Sequence, residues 1–255
     1  MTAAIVKDLY RFPVKGARGE RLESMTIAQS VGVLGDRRFA IKRKLGQPDV
    51  WAAKVHFRVC MNTPQMAAQT PVYLDPANPA APHLALDRRW LGDVAAVLEE
   101  PQLDILDTKG EYNLVDTNPL TNGPTVSFLN LATARALEAE TGWSIDPLRF
   151  RMNVWYDNGE PWSELEWAND FPGTKEIMVG GLHMRLQDAC ERCLATEANP
   201  TTGARDLAIL DAIERVLKRR GYSGSPHRGS FHVMGFLATP LGDAAITSGQ
   251  AIHLL

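Results

Sequence analysis

Hydrophobic positions in the first half of the chain come in short runs cut off by breakers. Ala3–Arg11 is apolar-rich and stops at Phe12-Pro13, Ser24–Ala28 is β-compatible, and in Gly35–Lys42 Phe39 and Ile41 alternate with Arg38, Ala40 and Lys42. Pro71–Leu74 is a further strand candidate. It is followed by the loop DPANPAAPH, where Pro76, Pro79 and Pro82 are expected to forbid regular structure. Before about residue 125 only Trp90–Leu98 carries helical periodicity.

The second half mixes both periods. Asn130 is placed to cap a helix over Leu131–Thr141, with Leu131, Ala134 and Leu137 on one face and Gly142 as the stop. Asp206 is placed to cap Leu207–Arg220, where Leu210, Ile213 and Leu217 share a face and Lys218, Arg219 and Arg220 suit the carboxyl end of the helix dipole. Between them lie a strand at Met152–Tyr156 and a hairpin, Glu176–Val179 and Leu182–Gln187, turned by Gly180-Gly181. Ala245–Leu255 reads as closing strands around a Ser-Gly turn. The expectation is a mainly β protein of two β-barrel-like domains with a few peripheral α-helices. Asp107–Thr121, polar and rich in turn formers, divides them into residues 1–115 and 116–255.

Composition narrows the function classes. In 255 residues, 27 Lys and Arg stand against 30 Asp and Glu for a net charge of −3, which gives no case for nucleic acid or an anionic membrane as partner. Lys7 and Asp8 interrupt what a signal peptide would need as its apolar stretch, and no run approaches the ~18–20 apolar residues of a membrane helix. Three cysteines, Cys60, Cys190 and Cys193, cannot form a paired disulfide framework. A cytoplasmic location is the expectation.

The densest chemical signal is DACERCLATEANPTTG, where Cys190 and Cys193 flank Arg192. Such a pair can bind zinc, shuttle disulfides or offer one thiolate to another metal. Zinc would need Cys60 and His56 to complete a Cys₃His set. Two half-buried thiols are the plainer reading, and Arg192, which favours a thiolate, tips the balance toward a working cysteine. Basic residues also stand beside glycines or at strand ends in FPVKGARG, LGDRRF and LRFRMN. Lys15, Arg37, Arg38, Arg149 and Arg151 together suggest a clamp for an anionic small ligand. For any one arginine a solvated charge or structural ion pair competes, and Asp36 is expected to pair with a neighbour. Trp162 and Trp167 read as core or groove-wall residues. Glu160 and Glu164 read as exposed or capping groups, although an acid near a metal can relay protons. His183, His227 and His232 show no metal-ligand spacing.

FPVKGARG, LGDRRF, LRFRMNVWYDNGEPWSELEW and DACERCLATEANPTTG, in that order, resemble the landmarks of MOSC-domain proteins. That family includes the mitochondrial amidoxime-reducing component and the C-terminal regions of molybdenum cofactor sulfurases. The resemblance implies an N-terminal MOSC β-barrel domain to residue 115, then the MOSC domain proper. It implies the molybdenum cofactor (molybdopterin), with Cys193 as metal ligand and catalytic residue and Glu160 as a catalytic acid. Cofactor contacts would come from Lys15, Arg37, Arg38, Arg151, Asn153, Cys190 and Arg192; pyridoxal phosphate binding enters as a family descriptor only. Departures from the family pattern are Gly16 after the lysine, Thr121-Asn122-Gly123-Pro124 in place of a hydroxyl before proline, Met152 within the R-x-N segment, and Glu160 in place of Asp.

The implied activity is reduction of N-hydroxylated or related N–O or S–O small molecules, with electrons from a separate donor protein. Sulfur transfer through a cysteine persulfide and a non-catalytic cofactor carrier are the alternatives. Because Lys15 and Arg37 precede residue 115 and Arg151 and Cys193 follow it, the site is expected in a groove between the two domains.

Overall fold

A ring of strands closes on itself in the computed structural model, which describes residues 4–16, 19–43, 72–75, 78–84, 103–111, 113–114, 123–168, 174–225 and 229–255. In chain order the first strands are β1 (Ala4–Arg11), β2 (Glu20–Leu22), β3 (Ser24–Ala28), β4 (Gly32–Val33), β5 (Phe39–Arg43), β6 (Val72–Asp75), β7 (Asn78–Leu84) and β8 (Leu103–Asp107). The second half supplies β9 (Val126–Asn130), β10 (Val154–Asp157), β11 (Glu176–Val179), β12 (Leu182–Glu191), β13 (Val233–Pro240), β14 (Ala244–Thr247) and β15 (Ala251–Leu254). Three α-helices occur among the described residues: α1 (Leu131–Thr141), α2 (Ser163–Trp167) and α3 (Ile209–Arg219).

The ring runs β1-β10-β9-β13-β12-β11-β15 and returns to β1, a closed seven-stranded barrel with β2 added beside β1. Closure removes the unpaired edges that an open sheet would leave. β9 and β10 are parallel, Phe128 opposite Val154, so the chain crosses between them through α1. The mainly β expectation holds. β1, which precedes the expected boundary at residue 115, is a stave of this barrel, pairing Ala4 with Ile252 and Leu9 with Val154. β3 likewise joins halves of the chain, pairing with β14 and with β4.

Inward positions are apolar. Phe128 and Phe236 stack with ring centroids 4.7 Å apart, and Tyr156 and Trp167 pack around them. Buried Trp162 joins the same core, as its sequence context suggested. Gly235 lets β13 come close to β9. Its φ is +75°, and a Cβ there would stand 2.3 Å from the Phe128 carbonyl oxygen.

The local expectations fare unevenly. α1 has the expected bounds: Asn130 Oδ1 accepts from the Ala132 N–H at 3.0 Å, and Gly142 closes the helix at φ +71°. α3 begins two residues later than expected, at Ile209, because Asp206 does not cap it; its carboxylate is taken by Arg149 at 2.8 Å. The run expected as a strand over Gly35–Lys42 begins only at Phe39, since Gly35 and Arg37 are both at positive φ and form a turn. DPANPAAPH is corrected: Asn78–Leu84 pairs with Val72–Asp75 in a two-stranded sheet. Among the described residues each of these strands pairs on one side, and proline's missing N–H costs no ladder bond where it faces away from the partner. The helix expected at Trp90–Leu98 lies outside the described residues, as do Cys60, His56 and His227.

Candidate functional site

β12 delivers the cysteine pair. It alternates buried and exposed positions from Leu182, then loses register against β13 between Leu186 and Ala189 and again between Ala189 and Glu191. Such bulges redirect side chains at the end of a strand. Cys190 is thereby buried, and the chain turns at Cys193, half-buried, into a 3-10 turn in which the Thr196 N–H donates to the Cys193 carbonyl at 3.0 Å.

Arg192 is the hub between these thiols and the rest of the site. Its Nη2 donates to Cys190 Sγ at 2.9 Å, and its Nη1 donates to the Phe150 carbonyl at 2.8 Å and to Met152 Sδ at 3.1 Å. Its Nε is buried without a hydrogen-bond partner among the described residues. Burial pushes the Cys190 thiol upward, and the positive charges of Arg192 and then Arg37 oppose that shift. Cys190 is therefore a sheltered thiol, whereas Cys193 is the one with access to solvent.

Arg37 reaches the same turn from the opposite side. Its guanidinium pairs with buried Asp36, donates from Nη2 to the Arg151 carbonyl at 2.6 Å and from Nη1 to Asn153 Oδ1 at 3.4 Å, and lies over the Phe12 ring. Asp36 in turn accepts from the Phe12 N–H at 2.7 Å. Lys15 is linked through the main chain of Leu114: Lys15 Nζ donates to the Leu114 carbonyl at 2.7 Å, and the Leu114 N–H donates to the Arg37 carbonyl at 3.0 Å. Asn153 is fully engaged, accepting from Ser127 Oγ at 2.7 Å and donating from Nδ2 to the Tyr10 carbonyl at 3.1 Å.

Lys15 is thus linked to Arg37 through the Leu114 main chain, and Arg37 and Arg192 meet on the Phe150–Met152 turn, Arg192 reaching on to Cys190; Cys193 follows three residues after Cys190. Arg38 and Arg149 stand outside this linkage. Arg38 makes a two-pronged contact with Asp107 at 2.7 and 3.0 Å, and buried Arg149 binds Asp206 and the Glu197 carbonyl. Glu160 is exposed, and the structure uses its carbonyl, which accepts from Asn130 Nδ2 and Ser163 Oγ, both at 2.9 Å.

Glu164 is a correction. Expected as exposed or capping, it is wholly buried, accepting from Thr133 Oγ1 at 2.9 Å and Asn130 Nδ2 at 3.1 Å. Trp162, at φ +69°, immediately precedes α2, and Glu164 in the first turn of that short helix is buried. Burial pushes its carboxyl upward against those bonds, and burial together with Glu164 raises the Tyr156 hydroxyl well above its ordinary range. Sequence reading also missed Leu114, whose role is main-chain only and leaves no side-chain signal.

Among the described residues no three His, Cys, Asp or Glu side chains cluster as a metal cage. A group that arrives with its own sulfur ligands needs only one thiolate from the protein. Half-buried Cys193 suits that demand, and the adjoining arginine chain supplies positive charge.

Residues 3–89 match the MOSC N-terminal beta barrel domain, and the resemblance to MOSC-domain proteins holds. Among curated relatives, molybdenum cofactor sulfurase from Drosophila melanogaster is 30% identical over 101 residues, 40% of this chain. The same-named protein of Drosophila willistoni is 28% identical over 99 residues, 39% of this chain. The match spans 12% of the length of each of these relatives. Of solved structures, the YUAD protein from Bacillus subtilis aligns with a TM-score of 0.44 and 11% identity, covering 100% of this chain and 96% of that one. YiiM from Geobacillus stearothermophilus aligns with a TM-score of 0.35 and 12% identity over 51% of this chain and 53% of that one. No helix among the described residues is long and apolar enough to cross a membrane.

Proposed function

We propose that the protein binds the molybdenum cofactor and reduces N-hydroxylated or related N–O or S–O small molecules with electrons from a separate protein. The observation that carries this is the linkage from Lys15 through the Leu114 main chain, Arg37, the Phe150–Met152 turn and Arg192 to Cys190, three residues before the half-buried Cys193 thiol. When bound, the cofactor supplies the two-electron redox chemistry. Cys193 provides its sulfur ligand; Cys190, sheltered and held by Arg192, keeps the strand end in place. Lys15 and Arg151 offer positive charge to the cofactor phosphate.

The names of the curated relatives favour one second reading, sulfur transfer with Cys193 carrying a persulfide. One experiment separates the two. Protein purified from a cofactor-producing host is analysed for molybdenum, for fluorescence of the oxidised pterin and for cyanide-labile sulfur. Molybdenum and pterin near one equivalent, both lost in Cys193→Ser, are the expected result. Cyanide-labile sulfur on metal-free protein would establish the second reading, and absence of pterin from wild-type protein would refute the first.

A further inference from the structure

The Phe150–Arg151–Met152 turn is held from several sides. Arg192 Nη1 donates to the Phe150 carbonyl at 2.8 Å, Arg37 Nη2 to the Arg151 carbonyl at 2.6 Å and Trp155 Nε1 to the Met152 carbonyl at 3.1 Å. Three consecutive carbonyls each accept from a side chain. Arg151 itself sits in the left-handed region at φ +47°, and so does Arg37, at φ +46°. Non-glycine residues stay there only where their surroundings over-determine the backbone. Here two guanidinium groups from segments far apart in sequence do so.

Arg37 and Arg192 also share a geometry that an ammonium cannot copy. Arg192 uses separate nitrogens for the Phe150 carbonyl and Cys190 Sγ. Arg37 directs its fork at Asp36, Asn153 and the Arg151 carbonyl, and its charge is already matched by buried Asp36. A side chain that serves an anionic ligand through charge alone tolerates lysine better than one that bridges two fixed acceptors.

We propose that Arg37 and Arg192 are positioning residues. They fix the main chain of the 150–152 turn, present Arg151 to the anionic group of the cofactor, and make no direct contact with it themselves. This rests on the reading that the site takes a phosphate-bearing pterin. It divides the expected clamp into one arm, Arg151, and two braces.

The test has two arms. In metal-free protein, amide hydrogen exchange at residues 150–153 is followed in wild type, Arg37→Lys and Arg192→Lys, with β11 and β15 as internal controls of folding. Exchange at the turn is expected to accelerate about tenfold or more in each variant, the size of a lost charge-assisted hydrogen bond. Unchanged exchange overturns the bracing role.

In the second arm, pterin retained per protein is measured by fluorescence after purification from a cofactor-producing host. The variants are Arg37→Lys, Arg151→Gly and the double variant; glycine accepts the left-handed backbone while removing the arm. Each single change is expected to lower retention, and Arg37→Lys is expected to have no further effect in the Arg151→Gly background. Losses that multiply in the double variant show that Arg37 acts directly, and overturn the positioning role alone. Wild-type protein that retains no pterin overturns the cofactor reading and the proposal together.

Discussion

Replacing Asn153 with alanine tests whether this residue is a structural tie or only a ligand contact. Asn153 joins three segments: Oδ1 accepts from Ser127 Oγ at 2.7 Å on β9 and, more distantly, from Arg37 Nη1 at 3.4 Å, while Nδ2 donates to the Tyr10 carbonyl at 3.1 Å on β1. The side chain is buried, so water does not replace the lost partners. Two good hydrogen bonds at about 1 kcal/mol each, plus about 1–3 kcal/mol for a buried group left unpaired, give a loss of about 3–5 kcal/mol. Against the ~5–15 kcal/mol stability typical of a folded domain, that is a large fraction. Urea unfolding followed by tryptophan fluorescence should show the midpoint falling with an unchanged slope. Asn153→Asp gives a sharper control. It keeps acceptors for Ser127 and Arg37 but sets a carboxylate against the Tyr10 carbonyl, so it should regain stability on acidification, when the new carboxyl can donate. A loss below about 1 kcal/mol in Asn153→Ala, or a pH-independent Asn153→Asp, would refute the assignment of Asn153 as the tie between β1, β9 and Arg37.

Further outcomes follow from the same geometry. Cys193→Ser should lose molybdenum while Cys190→Ser retains most of it, read by metal analysis on equally folded protein; the reverse pattern would make Cys190 the ligand. The folded-state carboxyl of Glu164 is raised by burial. Its protonated form is therefore favoured on folding, and its contribution is fullest below the unfolded glutamate range and lost as pH rises through the folded value. Glu164→Gln should accordingly gain on wild type as pH climbs from about 4 to about 8, measured as urea midpoints, and a constant difference would contradict burial as the cause. Gly235→Ala should destabilise by about 3 kcal/mol or more, because its new Cβ meets the Phe128 carbonyl and its φ is positive; near-native thermal stability would show that β13 can shift away.

Local signals that depend on neighbours in sequence were legible. The Asn130 cap with its Gly142 stop, the Gly180-Gly181 hairpin and the β3 run all occur where the chain pattern put them, because each is decided within a few residues. Tertiary competition defeated others. Asp206 leaves the start of α3 for Arg149, and Glu164, polar in every local sense, enters the core on a helix preceded by Trp162 in the left-handed region. In the site, residue types were readable but their division of labour was not. Arg37, Arg38 and Arg149 look alike in sequence. Only the fold distinguishes a brace on a turn, a surface fork on Asp107 and a buried pair with Asp206. The run that carries Arg37 looked like a strand because side-chain alternation does not reveal a left-handed backbone at a non-glycine residue.

The place of β1 in the ring sets an order on biosynthesis. It lies between β10 and β15, and its pairing of Ala4 with Ile252 spans most of these residues. Pairing with β2 and then β10 can precede β15, but the edge of β1 at Ala4 and Ile5 stays open until residues 251–252 leave the ribosome. During that interval one edge of β1 is open beside Ala4 and Val6, residues buried in the finished barrel. Ring closure by strands so distant in sequence is slow compared with the growth of α1 or the β11–β12 hairpin. The yield of folded protein should thus depend on holdase chaperones and on expression temperature, more than the stability of the finished barrel would suggest.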